Sequence, residues 1–205
     1  MSLDYAILGF LDSQELSGYD LKTKCFDGAV AHFWTADQAQ VYRTLDRLKS
    51  RGLVSATRRR QTARPDRRVY AITPTGRRAL TEWLAGPHAL PPYRNPFLIQ
   101  VNFAEGLSND ALAEVLERQR EQHQMRLADL RARSASAPGK GGGKRTPSRA
   151  ELLHRMTFDA AMAQERSSID WLDDCIEVLQ RTPSSGSGGQ RRPVGTRMSQ
   201  GRSGS

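Results

Sequence analysis

The chain has 205 residues, a mass of 22.9 kDa and a formal net charge of +9 from 31 basic and 22 acidic side chains. This length allows one large or two small domains, and the basic balance favours polyanionic partners such as nucleic acids. The sequence lacks an apolar run of the roughly 20 residues that span a bilayer, a secretory signal, and the cysteine content of a disulfide framework or a cysteine-based zinc site. We therefore expect a cytoplasmic protein without membrane association.

The positive charge is unevenly distributed along the chain. Residues 1–85 hold 14 basic and 9 acidic side chains, whereas residues 150–181 hold 3 and 7. The segments 134–149 and 182–205 hold 4 basic side chains each, no acidic ones, and much Gly, Ser or Pro. Because they have little to bury, the first is predicted to be a flexible loop and the second a disordered basic tail. We predict a first domain over 1–85 and a second over 86–181.

Two short helices are predicted at the start of the first domain. Apolar residues at helical spacing indicate a helix that ends near Ser13. A second helix has Ser17 at its N-cap and Asp20 in the capping-box position, and we expect it to stop before Gly28.

The third helix is predicted to present a polar face outward. Thr35 is its expected N-cap, with Gln38 three residues later, and Gly52 follows its end. Its apolar residues Val41, Leu45 and Leu48 recur on one side, which is expected to face the core. The outward face then comprises Gln40, Arg43, Thr44, Arg47 and Arg51, with Tyr42 at its edge.

An arginine-rich β-hairpin follows the third helix. Strands are predicted over 53–60 and 67–72, and the turn between them contains Pro65 and Asp66. Thr73 then caps a fourth helix that has Pro74 at its first position. The arginines of the hairpin are Arg58, Arg59, Arg60, Arg64, Arg67 and Arg68.

This order of elements is that of a winged helix-turn-helix, in which the third helix enters the major groove and the hairpin lies along the DNA backbone or minor groove. Gln and Thr side chains can bond base edges, and Arg can bind guanine or phosphate. An ordinary solvated helix face is the other interpretation, and the adjacent arginine hairpin disfavours it. The predicted DNA-binding residues are Thr35, Gln38, Gln40, Tyr42, Arg43, Thr44, Arg47, Arg64, Arg67 and Arg68.

Several short motifs in order resemble the PadR family of bacterial transcriptional regulators over about residues 3–84. They include Leu8-Gly9-Phe10-Leu11, Leu16-Ser17-Gly18-Tyr19-Asp20-Leu21, Gln40-Val41-Tyr42-Arg43-Thr44-Leu45, Arg64-Pro65-Asp66-Arg67 and Ile72-Thr73-Pro74-Thr75-Gly76. The resemblance implies a cytoplasmic, homodimeric DNA-binding regulator, most often a repressor, that touches DNA through Gln40, Tyr42 and residues 64–68. Tyr19 and Trp34 also fit the family pattern, and we expect them to pack mainly in the core.

The second domain is predicted to be all-helical. A short helix begins near Phe97 and ends at Gly106, and Ser108 caps a long helix; another long helix ends at Arg181. These long helices have narrow apolar stripes and many charges, so we expect them to pack across a two-fold axis against a second copy. The fold class is therefore mainly α, with an N-terminal winged helix-turn-helix and a helical dimerisation domain. Its length resembles the PadR subfamily related to the virulence activator AphA.

Aromatic residues of the second domain suggest a ligand site. The resemblance implies that some family members sense phenolic acids or planar drugs. The candidate lining residues for a small aromatic ligand are Phe97, Phe103, Phe158 and Trp171. Packing in a helical dimer is the alternative role of these residues. We expect neither a cofactor nor a metal, because the histidines do not share metal-ligand spacing.

The preferred function is a repressor that binds double-stranded DNA as a homodimer at an inverted repeat, associated with the nucleoid when bound, with an aromatic effector as a further expectation. A winged-helix protein-interaction module without sequence-specific DNA binding is the alternative. An enzyme is not expected, since the chain shows no nucleophile elbow, phosphate loop or Ser/His/Asp grouping.

Overall fold

The computed structural model describes residues 2–59, 67–136 and 146–182. They form two compact units: Met1–Arg94 with Met125–Arg166, and Asn95–Gln124 with the chain from Ser167. The fold is mainly helical with a small antiparallel sheet, which confirms the predicted class. The helices are α1 (Ser2–Ser13), α2 (Gly18–Asp20), a π-helical segment (Leu21–Ala29), α3 (Gln38–Ser50), α4 (Pro74–Ala85), α5 (Pro96–Asn102), a 3-10 turn (Ala104–Gly106), α6 (Asn109–Ser136) and α7 (Arg149–Arg181). The strands are β1 (Leu16–Ser17), β2 (Val54–Arg59) and β3 (Arg67–Ile72).

The sheet is antiparallel and has the order β1, β3, β2. Strands β2 and β3 are the predicted hairpin, in a register that pairs Val54 with Ile72 and Arg59 with Arg67. Strand β1 was not predicted from the sequence. It is only two residues long and covers β3 only at Val69 and Tyr70. Beyond that point β3 is paired with β2 alone among the described residues.

Local capping interactions set the helix starts of the first unit, as predicted for α2 and α4. The Asp20 N–H donates to Ser17 Oγ at 3.2 Å, and the Ser17 N–H donates to Asp20 Oδ2 at 3.1 Å. Thr73 caps α4 by accepting the Gly76 N–H at 3.0 Å. The predicted stop before Gly28 is wrong, because the chain continues as a π-helix through Ala29. Gly28 does not adopt the left-handed conformation that ends many helices.

The core of the first unit is built from α1, the π-helical segment, α3 and the sheet. Its fully buried side chains include Ile7, Leu8, Leu21, Val41, Leu45, Leu48 and Tyr70. Burying each large aliphatic side chain contributes about 1.5–3 kcal/mol. Tyr19 and Trp34, which were expected in this core, are instead 64% and 38% exposed. After α3, Gly52 adopts a φ of 68° and turns the chain into β2.

The second unit has a small core between α6 and α7. Leu116, Leu172 and Ile176 are buried there, and Phe97 packs against them. The predicted Ser108 cap is confirmed, since its Oγ accepts the Ala111 N–H at 3.2 Å.

The two long helices extend further than their apolar patterns indicated. Helix α6 continues through Ser136, and α7 begins at Arg149 after a capping box between Ser148 and Glu151. The predicted loop over 134–149 therefore includes helical residues at both ends. Residues 137–145, and the predicted tail from residue 183 onward, lie outside the described residues.

Candidate nucleic-acid interface

Helix α3 begins two residues later than the sequence predicted. Asp37, not Thr35, is the N-cap: its Oδ1 accepts the Gln40 N–H at 2.7 Å, and Gln40 Oε1 accepts the Asp37 N–H at 3.1 Å. Both threonine and aspartate serve as N-caps, and the sequence offers each of them a glutamine three residues later. Because the Gln40 oxygen is part of the cap, a base contact by Gln40 would use its amide nitrogen.

The outward face of α3 is narrower than predicted. Val41, Leu45 and Leu48 are buried as expected, but Thr44 is also buried and is 3% exposed. Its place on the predicted DNA-binding face is therefore wrong. The predicted residues that remain exposed on or beside α3 are Thr35, Gln38, Gln40, Tyr42, Arg43 and Arg47.

Arg47 is held by a buried carboxylate of α1. Asp4 is 4% exposed and pairs with Arg47 through a short contact to Nη2, while Arg51 Nη1 lies 3.4 Å from Asp4 Oδ2. The Arg47 Nη2 group also lies 3.4 Å from Thr44 Oγ1. The hydrogen bond and charge of Asp4 raise the pKa of Arg47 above its usual value. The guanidinium is thus fixed at the α1–α3 contact.

Three described wing arginines, Arg59, Arg67 and Arg68, are paired with acidic residues outside the hairpin. Arg59 Nη2 lies 2.6 Å from Glu15 Oε2, and Arg67 pairs with Asp20. These arginines nevertheless keep 64% and 41% of their side chains exposed. Arg64 lies outside the described residues, so its predicted role remains a prediction.

Arg68 has two neighbours in the first unit. Its Nη1 lies 3.8 Å from Asp46 Oδ1 on α3, and its guanidinium carbon lies 5.3 Å from the centroid of the Tyr70 ring. The arrangement brings a wing arginine beside the exposed surface of α3.

A tight packing contact fixes the position of Tyr42. A Cβ added to Gly18 would lie 2.5 Å from Tyr42 Cε1 and 2.8 Å from Cζ. The Tyr42 ring therefore lies against the backbone at the start of α2, and it remains 38% exposed. The sequence indicated Tyr42 as an edge residue but gave no sign of this contact.

The candidate ligand-binding aromatics belong to both compact units. Phe97 and Trp171 make an edge-to-face contact at 6.3 Å in the second unit, but Phe103 is 78% exposed. Phe158 belongs to the first unit and stacks on His32 at 3.9 Å. Of the four, Phe97 and Trp171 are in ring contact with each other.

Sequence reasoning missed the buried His32. Its Nε2 lies 3.0 Å from Thr157 Oγ1, whereas its Nδ1 has no hydrogen-bond partner among the described residues. Thr157 Oγ1 donates to the His154 carbonyl at 2.8 Å, so it accepts a hydrogen bond from His32 Nε2–H. Burial, followed by the charges of Arg133 and His154, lowers the pKa of His32. A cavity of about 330 Å³ lies nearby, lined by Asp27, Gly28, Ala29, Arg133, Ser136, His154 and Phe158.

Sequence comparisons identify the family of this winged helix. Residues 7–82 match the Transcriptional regulator PadR-like family, and residues 93–180 match the Virulence activator alpha C-term family. The Probable transcriptional regulator Rv1176c of Mycobacterium tuberculosis is 34% identical over 190 residues, which cover 88% of this chain and 98% of the relative. The chain belongs to the PadR-like family of transcriptional regulators. This PadR-like protein is a DNA-binding regulator with an AphA-type C-terminal domain, and its family is not one of enzymes.

Solved structures of PadR-like proteins share this fold. The Negative transcriptional regulator PadR of Bacillus subtilis is 26% identical over 180 residues, covering 87% of this chain and 98% of PadR. Its crystal structure in complex with operator DNA has a TM-score of 0.76 at 25% identity, covering 87% of this chain and 99% of that one. Its crystal structure in complex with p-coumaric acid has a TM-score of 0.72 at 25% identity, covering 88% of this chain and 100% of that one. The structure of the Vibrio cholerae virulence activator AphA has a TM-score of 0.68 at 26% identity, covering 87% of this chain and 98% of that one.

The described residues contain neither a membrane-spanning helix nor a metal-binding cluster. None of the described helices combines the length and apolar character needed to cross a membrane. No group of three or more His, Cys, Asp or Glu side chains in the described part of the chain is arranged to hold a metal ion.

Proposed function

We propose that this protein is a cytoplasmic homodimeric repressor that binds an inverted-repeat operator in bacterial promoter DNA. The observation that carries the proposal is the pairing, within one compact unit, of an exposed polar face on α3 with an arginine-bearing β-hairpin. In support, the related B. subtilis protein is a negative regulator and was crystallised with operator DNA. In this proposal α3 enters the major groove and the wing contacts the backbone, with the two α3 helices of a dimer roughly 34 Å apart.

Tyr42 and Arg43 are the proposed base-reading residues. Both are exposed near the start of α3, where recognition helices contact base edges. Gln38 precedes them on the same exposed segment, and the Gln40 amide nitrogen is a further donor. Arg43 can bind guanine through two hydrogen bonds, each such pair contributing about 1–3 kcal/mol of discrimination.

Footprinting on the DNA upstream of the protein's own gene tests this proposal. Wild type is expected to protect an inverted repeat, and Tyr42→Ala and Arg43→Ala are each expected to weaken that protection at least tenfold. Arg118→Ala is the matched control, because it removes an exposed arginine whose partner is Glu114 one turn away on α6. Binding that ignores both DNA sequence and these substitutions would instead favour the protein-interaction module.

The second unit supports the proposed dimer. Its buried core is small, yet it exposes large apolar side chains, including Ile99 at 63%, Phe103 at 78% and Val178 at 61%. An apolar cavity of about 420 Å³ lies beside Leu116 and Trp171 in the same unit. Association with a second copy through the C-terminal helices would remove such surface from water. Sedimentation equilibrium should give a dimer for wild type and a shift towards monomer for a Phe103→Asp/Val178→Asp variant.

A small aromatic carboxylic acid is the proposed effector. The cavity beside Phe158 has an aromatic wall, and Arg133 supplies a cation whose Nη2 also donates to the Gly28 carbonyl at 2.9 Å. B. subtilis PadR was crystallised with p-coumaric acid. We expect p-coumaric acid to release this protein from its operator, and Phe158→Ala to lose that response while still binding DNA. Retention of the complex at saturating p-coumaric acid would contradict the effector but not the repressor.

A further inference from the structure

Asp20 is a buried carboxylate at the point where α2 meets the wing. Its side chain is 6% exposed, and its Oδ2 accepts the Ser17 N–H at 3.1 Å and the Ser17 hydroxyl at 2.7 Å. Its Oδ1 lies 3.1 Å from Lys24 Nζ, and Oδ2 pairs with Arg67 Nη2. The cap of α2 uses the Ser17 contacts alone, so the cap does not require the pair with Arg67.

Arg67 lies beyond the part of β3 that pairs with β1, where β3 is paired with β2 alone among the described residues. It is the first residue of β3, whereas β1 reaches β3 only at Val69 and Tyr70. The ion pair with Asp20 therefore attaches β3 to α2 beyond the last β1 hydrogen bonds.

The register of the wing places like charges opposite one another. It places Arg59 directly opposite Arg67, and Arg58 directly opposite Arg68. Like charges in directly opposed strand positions destabilise a hairpin. A carboxylate from outside the hairpin offsets that repulsion. The attraction of a buried carboxylate is screened less by solvent than that of an exposed one.

We propose that Asp20 is a positioning residue for operator binding. It binds Arg67 and thereby attaches the wing to α2. Arg67 is therefore not a phosphate ligand. The inference rests on the proposed repressor function. It assigns phosphate contact to other wing arginines and gives Arg67 an indirect role.

The Asp20→Asn substitution separates positioning from simple charge. It removes a negative charge from the winged-helix unit, so long-range electrostatics alone would strengthen binding to DNA. Loss of the wing attachment would weaken it, and we expect about a tenfold lower operator affinity. Asparagine keeps an oxygen that can accept the Ser17 N–H, which preserves the cap. Asp37→Asn is the matched control: it also neutralises an N-cap-region carboxylate, asparagine is an equally good N-cap, and its affinity should not fall.

The salt dependence of binding tests the role of Arg67. A lost phosphate contact reduces the slope of log K against log salt by about 0.9 per protomer. We expect Arg67→Ala to lower operator affinity with an unchanged slope, and Asp20→Asn/Arg67→Ala to bind no more weakly than Arg67→Ala. A slope reduced by about 0.9 per protomer would show that Arg67 contacts phosphate and would overturn the proposal.

A measurement without DNA separates this inference from the repressor proposal. Hydrogen–deuterium exchange of the peptides containing β2 and β3 should be faster in Asp20→Asn and in Arg67→Ala than in wild type. Unchanged exchange in both variants would overturn the wing attachment whether or not the protein binds an operator. Faster exchange together with no operator binding by wild type would support the attachment and contradict the repressor. If Asp20→Asn does not fold, Arg67→Ala carries both measurements, because Arg67 is 41% exposed and tolerates truncation.

Discussion

Adding one methyl group at Gly18 should disturb DNA recognition more than folding. The new Cβ would lie 2.5 Å from Tyr42 Cε1, whereas ordinary van der Waals contact begins at 3.4 Å, so the ring must move by about 1 Å. Tyr42 is 38% exposed and can move towards solvent. We therefore expect Gly18→Ala to cost only about 1 kcal/mol of stability, the lower end of the range for overpacking. Loss of a Tyr42 hydrogen bond of about 1 kcal/mol in each half-site would lower operator affinity by at least tenfold.

Two other glycines provide controls for this experiment. A Cβ at Gly76 would lie 2.1 Å from the Leu53 carbonyl oxygen, which is backbone and cannot move aside. Gly76→Ala should therefore cost about 3 kcal/mol or more and lower affinity through unfolding. Gly9 lies within α1, and a methyl group added there would face open space among the described residues, so Gly9→Ala should stabilise the helix by about 0.5–1 kcal/mol. Urea unfolding and fluorescence-anisotropy titration of operator DNA measure the two quantities separately.

Wild-type operator affinity of Gly18→Ala would contradict this prediction, because the Tyr42 ring would then have moved without consequence. A Gly18→Ala/Tyr42→Ala double variant that binds much more weakly than Tyr42→Ala would also contradict it. In that case Gly18 would act through something other than the tyrosine.

Three further predictions concern stability. Burial raises the pKa of Cys25 to about 11 from 9.0, so the unfolded chain loses the thiol proton at a lower pH than the folded chain. The free energy of unfolding should therefore fall by about 2–3 kcal/mol as pH rises through 9–11. Urea unfolding of Cys25→Ala should lack this decrease. The pKa of His32 is lowered, so the unfolded chain gains the imidazole proton at a higher pH than the folded chain. The free energy of unfolding should therefore fall as pH drops below about 6.5. The dependence of this free energy on pH, measured by urea unfolding, should be weaker in His32→Gln. Leu172 is fully buried, and Leu172→Ala should cost about 2–5 kcal/mol by denaturant titration.

Features that depend on neighbouring residues were predictable from the sequence. The caps at Ser17, Thr73 and Ser108 involve groups within three residues of each other, so a sequence pattern contains both partners. The same locality explains the error at α3. Thr35 with Gln38 and Asp37 with Gln40 satisfy the capping-box pattern equally, so the pattern alone does not identify Asp37 as the N-cap.

Burial of Thr44 shows the limit of counting apolar residues. It lies three residues after Val41 and four before Leu48, inside the stripe that faces the core. The stripe of a helix that faces the core is about 100° wide, so a small polar residue inside it is buried with its apolar neighbours. The hydroxyl group of Thr44 suggests an outward position, although its place along the helix puts it on the side that faces the core.

Long-range ion pairs could not be predicted because both partners look like surface residues. Asp4 and Arg47 are 43 positions apart, and Asp20 and Arg67 are 47 apart. Each side chain taken alone is consistent with a solvated surface. Only the packing of α1 and α2 against α3 and the wing makes these carboxylates buried.

Burial of the carboxylate divides the arginines of the DNA-binding unit into two groups. Glu15 and Asp46 keep 52% and 66% of their side chains exposed, so their pairs with Arg59 and Arg68 are screened by water and contribute about 0–1 kcal/mol. A DNA phosphate can replace such a partner at little cost. We therefore expect these two arginines to be available to the proposed operator although each has a protein partner.

Asp4 and Asp20 behave differently because their side chains are 5% and 6% exposed. An arginine that leaves either one for a phosphate weakens the pairing of a buried charge, because only Arg51 remains beside Asp4 and only Lys24 beside Asp20. That loss is more costly than breaking a surface pair. Arg47 and Arg67 are therefore fixed within the protein, even though their own exposed fractions resemble those of the available arginines. We therefore expect the exposure of the acid, rather than that of the arginine, to decide which of these four paired arginines can contribute to DNA binding.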